Sequence, residues 1–287
     1  MALHVASVEP ALVALVWQML LGLCCGFMLS MPTALLVPAG VWLAYSADRH
    51  GDGSRGGRAR HASSRDASRF WRLWLSVFAV AVFAGSWLLD LRQVVASGLG
   101  LTWITAYLAL TQRYPRLRAI VPREVVVGLT FAIGTTLFVS PIVTTTVDVS
   151  MWWSVTLAFA ALCTWSCVAA SWLERDEDRR RGAVTIVTHY DLTPRGIGAF
   201  GIVLGILLSC AVGFVLYRAS SRDRLAIAVT ILALAMSFAM LGLQLMVAKR
   251  GRASARLARW TDFLLLPAPL VALGVLWVAG SAIGTPG

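Results

Sequence analysis

The sequence predicts an all-α polytopic membrane protein, with about nine transmembrane helices in a single integral membrane domain spanning residues 1–287. Three observations predict it. Of the residues, 58% are apolar and only 14% are charged, whereas soluble domains carry roughly 45–50% and about 25%. The apolar residues gather into runs near the ~20 residues that cross a bilayer. The basic residues fall between those runs, with a strong bias to alternate connections. Soluble enzymes, disordered chains and disulfide scaffolds are excluded by the same composition.

The runs, in order, are 11–28, 30–47, 71–89, 94–110, 125–143, 151–173, 197–217, 225–247 and 263–283. The first two are joined tightly, with Pro32 near the joint. No Lys or Arg precedes the first run, so a signal-peptide n-region is missing and the run reads as a retained helix. Trp42, Trp71, Trp74, Trp152, Trp153, Trp172, Tyr217 and Trp260 lie near run ends, as an interfacial aromatic belt would. Thr193-Pro194 reads as the N-cap and first-turn proline of the seventh run. Gly201 and Gly205 give that run a close-packing face.

The formal charge is +11, from 25 basic and 14 acidic residues. In a soluble protein this would suggest nucleic acid, but here the arginines border apolar runs, so no nucleic-acid partner is expected and anionic membrane lipids are. Of the 25 basic residues, 21 lie in the connections after runs two, four, six and eight, and four (Arg92, Arg218, Arg222 and Arg224) lie on the other side. The positive-inside rule then places the N-terminus and those four connections in the cytoplasm, with a bacterial inner (plasma) membrane as the expected location.

Several other patterns carry no chemistry. Cys24, Cys25, Cys163, Cys167 and Cys210 all lie in apolar runs and read as small buried hydrophobes. Gly51 to Gly56 matches G-x-G-x-x-G, but follows a membrane helix instead of a strand. His50, His61 and His189 read as interfacial polar residues, and Asp90 and Asp148 as caps or water-facing groups.

Acidic residues are scarce, and two clusters stand out. Asp48 and Asp52 leave the second run in the cytoplasmic segment 48–70; Glu174 and Asp178 leave the sixth in the segment 174–196. Each pair is spaced i, i+4 and would share one helix face. Paired carboxylates repel unless a cation sits between them, and Mg²⁺ accepts such oxygen ligands while keeping places for phosphate oxygens. Nearby guanidinium groups match the remaining phosphate charge. The plainer reading of each cluster is a solvated, self-paired helix end. Two clusters at one register, on one side, favour a site.

The chain resembles the UbiA superfamily of intramembrane prenyltransferases, which has nine helices and two aspartate-rich motifs after helices two and six. The first motif, Asn-Asp-x-x-Asp-x-x-x-Asp, aligns with 44–52, where Asp48 and Asp52 match and Ala44-Tyr45 replace the leading Asn-Asp. The second, Asp-x-x-x-Asp with a following Gly and Thr, aligns with Glu174, Asp178, Gly182 and Thr185. The family's Tyr-x-x-x-Lys after helix four aligns with Tyr114 and Arg118. The resemblance implies a UbiA-like bundle in which Asp48, Asp52, Glu174 and Asp178 hold Mg²⁺ and act as the catalytic set. Arg118, Tyr114, Arg49 and Arg60 would bind the diphosphate. The implied activity is transfer of a polyprenyl group from its diphosphate to a lipid-soluble, aromatic-type acceptor. The alternative is a catalytically degenerate protein of that fold that binds an isoprenoid lipid or a protein partner; the exchange at Ala44-Tyr45 keeps it open. A transporter would need ionisable residues near mid-helix, and the chain has almost none.

Overall fold

A computed structural model describes residues 8–53, 67–113, 122–143, 147–182, 184–218, 224–248 and 261–283. Among these it is all-helical, with no strand. The α-helices are α1 (Glu9–Cys24), α2 (Met31–Gly53), α3 (Ala67–Leu88), α4 (Leu91–Arg113), α5 (Arg123–Thr135), α6 (Val149–Leu173), α7 (Arg175–Arg181), α8 (Ile186–His189), α9 (Pro194–Arg218), α10 (Arg224–Ala248) and α11 (Pro267–Ile283). Short 3₁₀ turns follow α5 (Leu137–Val139) and precede α11 (Asp262–Leu265).

The local chemistry explains most boundaries. Helix α1 opens on Glu9-Pro10, an acid and a proline suited to a first turn. It closes in a Schellman motif: Gly26 is left-handed at φ 69°, its N–H donates to the Leu23 carbonyl at 3.0 Å, and the Phe27 N–H donates to the Gly22 carbonyl at 2.9 Å. Asp90 and Asp148 are caps. The Gln93 N–H donates to Asp90 Oδ1 at 2.8 Å at the start of α4, and the Met151 N–H donates to Asp148 Oδ1 at 2.9 Å at the start of α6. Thr193 accepts from the Gly196 N–H at 3.2 Å, with Pro194 first in α9.

Each of the nine apolar runs overlaps one of the longer helices; among the described residues, α6, α9 and α10 are long and apolar enough to cross a membrane by length and composition. Three of the others are short. Helix α1 has 16 residues, α5 has 13 and α11 has 17, which at 1.5 Å per residue is about 20–26 Å against a hydrocarbon core of ~30 Å. The fifth run breaks after Thr135 into a 3₁₀ turn, and the ninth begins as one, so their apolar residues do not form single long helices.

Packing centres on α6. It is apolar all round, which is the pattern of a helix enclosed by protein or lipid, and it packs against α5, α9 and α10. Phe159, Leu162 and Val168 on α6 are fully buried, as are Trp17, Leu20 and Leu21 on α1. Trp17 lies 4.9 Å from Phe159, centroid to centroid, and its indole N–H donates to the Leu265 carbonyl at 2.9 Å, so one side chain ties α1 to α6 and to the turn before α11. Other tryptophans act in the same way. Trp74 donates to the Leu43 carbonyl, Trp103 to Thr130 Oγ1 and Trp152 to the Thr136 carbonyl. Trp152 is buried, so it belongs to the core and not to the aromatic belt, whereas Trp153 and Tyr217 are exposed as a belt requires. All five cysteines are free; Cys24 and Cys163 are buried.

The outward faces are apolar too. Phe83, Trp87, Leu91, Ile202, Leu216 and Trp277 are exposed, among many aliphatic neighbours. A surface of this kind is costly in water and is solvated readily by lipid.

Two glycines set the closest helix contacts. A Cβ at Gly128 on α5 would fall 2.6 Å from the Thr164 nitrogen and 2.8 Å from its Cα, both backbone atoms of α6. A Cβ at Gly201 on α9 would fall 2.8 Å from the Trp165 ring, while Gly205 looks toward Phe238 at 3.6 Å. The glycine pair on α9 therefore packs on two different helices. We expect Gly128→Ala to destabilise the fold by about 1–3 kcal/mol through overpacking, read as a lower thermal transition in detergent. Gly134→Ala, with nothing within 4 Å of its Cβ, is expected to leave the transition unchanged or raise it.

Candidate functional site

The second acidic cluster lies where α6 gives way to α7. Glu174 is the residue between α6 and α7, and the Asp178 N–H donates to the Glu174 carbonyl at 2.9 Å. The two acids are thus one helical turn apart in hydrogen-bonded register, as their spacing required, and both are partly exposed. The arginines around them have their own partners. Arg175 lies over the Trp172 ring at 4.8 Å, with its Nε 3.6 Å from Asp176, and Arg179 pairs with Asp191. Asp176 is highly exposed and reads as solvated.

Gly182 and Thr185, the residues aligned with the Gly and Thr of the second motif, have structural duties here. Gly182 ends α7 in the left-handed conformation at φ 65°. Thr185 caps α8: its Oγ1 accepts from the Thr188 N–H at 3.1 Å, and Thr188 Oγ1 accepts from the Thr185 N–H at 2.9 Å. The described residues of segment 174–196 are therefore α7, α8 with its Thr185 cap, a turn and the first residues of α9, instead of an irregular loop.

The first acidic pair lies on the last turns of α2. Helix α2 runs unbroken through Asp48 and Asp52 to Gly53, so residues 48–53 of the segment 48–70 are helical and residues 67–70 begin α3. Gly51 and Gly53 close a helix and do not follow a strand. The side chains of Asp48, Arg49 and Asp52, and the residues Arg60, Tyr114 and Arg118, lie outside the described residues. Ala44 and Tyr45, which stand where the family's motif has Asn-Asp, are partly buried one turn earlier on α2. Among the described residues no group of three or more His, Cys, Asp or Glu side chains comes together.

Sequence reasoning missed one carboxyl group. Glu124, in the first turn of α5, is only 3% exposed. Both of its oxygens accept from the Ile186 N–H, at 3.2 Å, and Oε1 also accepts from Ser171 Oγ at 2.9 Å. Ser171 is in the last turn of α6 and Ile186 opens α8, so Glu124 joins the two ends of the segment that carries Glu174 and Asp178. Hydrogen bonds to a charged group contribute about 1.5–3 kcal/mol. The available signal was position: Glu124 follows Pro122-Arg123 at the entry to an apolar run, where an unneeded charge would be expensive.

Comparison with protein-family models, with curated proteins and with solved structures finds no match to this chain.

The capping roles have a direct consequence. Thr185→Ala should cost about 1 kcal/mol through loss of the cap, and Gly182→Ala a similar ~1 kcal/mol through its positive φ, both read by thermal unfolding. The exposed Arg179–Asp191 pair should show a coupling below about 1 kcal/mol in a double-mutant cycle.

Proposed function

We propose that the protein is a UbiA-like intramembrane prenyltransferase. It would move a polyprenyl group from its diphosphate to a lipid-soluble, aromatic-type acceptor. The observation that carries this reading is the register of the two acidic pairs. Asp48 and Asp52 lie on continuous helix at the end of α2, and Glu174 and Asp178 lie one hydrogen-bonded turn apart at the end of α6. Support also comes from the nine apolar runs, each found as helix, and from the lipid-suited outer surface.

In this reading all nine long helices lie in the bilayer, the shorter ones where it thins locally. Both acidic pairs face the cytoplasm of a bacterial cell. The donor set of Glu174 and Asp178, oxygen only and partly exposed, fits Mg²⁺. When bound, Mg²⁺ neutralises diphosphate charge and so stabilises the leaving group. The chain's own contribution is to hold carboxylates at a fixed spacing and to offer guanidinium groups, Arg118 with Arg49 and Arg60, to the remaining phosphate oxygens. Tyr114 would add a phenolic hydrogen bond. Apolar helix faces exclude water from the allylic carbon, and the prenyl tail lies toward lipid.

A second reading is favoured by one observation, the Ala44-Tyr45 exchange one turn before Asp48. It removes a carboxylate from the proposed set and suits a descendant that binds an isoprenoid lipid or a protein partner without turnover.

The two readings are separated by turnover. Purified protein in lipid nanodiscs, given labelled geranyl, farnesyl or geranylgeranyl diphosphate, is expected to release diphosphate only with Mg²⁺. Asp48→Asn and Asp178→Asn should each slow that release by about 10²-fold or more. Equal rates in all three proteins would remove the proposed site.

A further inference from the structure

We infer that Glu124 is a positioning residue for the second acidic pair. This inference rests on the prenyltransferase reading and deepens it. Three observations carry it. First, Glu124 is buried, and its polar contacts among the described residues are hydrogen bonds from neutral donors, Ser171 Oγ and the Ile186 N–H. A buried carboxyl group without a paired cation is expensive, and the cost is offset here by the N-terminus of α5 and by these hydrogen bonds. Second, its two partners flank the acidic segment: Ser171 is three residues before Glu174, and Ile186 is four residues after Gly182. Third, α7 packs only against its immediate neighbours α6 and α8 among the more extensive helix contacts. Ile186 and Val187 seat α8 in the main core, and the hydrogen bonds from Ser171 and Ile186 to Glu124 add a polar tie from the two flanks of α7 to α5. Glu124 also stands six residues after Arg118, so the same carboxyl group anchors the start of the helix into which the proposed diphosphate-binding segment leads.

The group works by geometry and not by contact with the reacting atoms. Both oxygens converge on one N–H, which fixes the start of α8. The bond to Ser171 fixes the last turn of α6. With both ends held, the position of Glu174 and Asp178 is set before any cation arrives, which reduces the ordering cost of binding. Partners of this kind commonly change metal affinity or activity by about 10–100-fold when removed.

The test compares wild type with Glu124→Ala, Glu124→Gln and Ser171→Ala in nanodiscs, using two readouts. One is amide hydrogen exchange over residues 184–187. The other is the Mg²⁺ concentration giving half-maximal diphosphate release from farnesyl or geranylgeranyl diphosphate. Glu124→Ala should speed exchange and raise the half-maximal Mg²⁺ concentration about tenfold or more. Glu124→Gln, which keeps one carbonyl acceptor for the Ile186 N–H, should recover part of both. Should Glu124→Ala fail to fold, the Gln and Ser171→Ala variants carry the comparison, with smaller shifts in the same direction. Faster exchange with an unchanged Mg²⁺ requirement would reduce Glu124 to a structural role and overturn the inference, leaving the prenyltransferase reading standing. No change in either readout would overturn it equally. A wild-type protein inert toward every prenyl diphosphate would remove the reading itself, and the inference with it.

Discussion

The helix with the most buried surface must be surrounded before any connecting segment can be placed, and α6, exposed mainly along Val149, Trp153 and Leu157, is that helix here. Its apolar residues occupy the whole circumference, so no orientation in water satisfies it. Helices α5, α9 and α10 cover it, and α1 reaches it through the Trp17–Phe159 contact. The close approaches at Gly128 and Gly201 are possible only because those positions lack a side chain. Indole N–H groups then fix neighbouring helices at chosen carbonyls. Each such bond satisfies two polar groups that would otherwise be orphaned in an apolar interior.

This packing decides where polar chemistry is possible. Along α6 the buried polar residues are hydroxyl-bearing, Thr156, Thr164 and Ser166, and Thr156 shares a hydrogen bond with Thr136 at 3.0 Å. Charges collect where the helix ends, and Glu174 marks that point. The sequence Glu-Arg-Asp-Glu-Asp has too much charge to continue into the core, so the chain turns, makes the short helix α7, stops at Gly182 and restarts at the Thr185 cap. The proposed site inherits its position from the length of α6, in the same way that Asp48 and Asp52 inherit theirs from α2.

The helical class and the approximate extent of each long helix were legible because apolar runs and caps are local signals. Asp148, Asp90 and Thr193-Pro194 behave as their residue types suggest. Less was legible where tertiary contacts decide. Trp152 looks like a belt residue in sequence, but its indole finds the Thr136 carbonyl and is buried. Apolar content alone does not reveal that the fifth run breaks after Thr135 into a 3₁₀ turn, nor that residues 175–181 and 186–189 are helical. The i, i+4 spacing of the acids correctly anticipated their helical register. The resemblance gave Gly182 and Thr185 a place in a motif; the structure gives them caps. The position of Glu124 at the entry to an apolar run was a signal, but its partners were not legible: Ser171 and Ile186 are 47 and 62 residues away, and no local pattern links them.

The central claim is that the end of α2 and the end of α6 meet at one membrane mouth. Spin labels at Gly51→Cys and Glu177→Cys, beside Asp52 and Asp178 and with the five native cysteines replaced, measure it directly by electron–electron dipolar distance. The account predicts a separation within about two helix diameters, ~20–24 Å, narrowing in distribution when Mg²⁺ and a non-hydrolysable prenyl diphosphate analogue are added. A separation beyond the ~30 Å hydrocarbon thickness, unchanged by either addition, would contradict it.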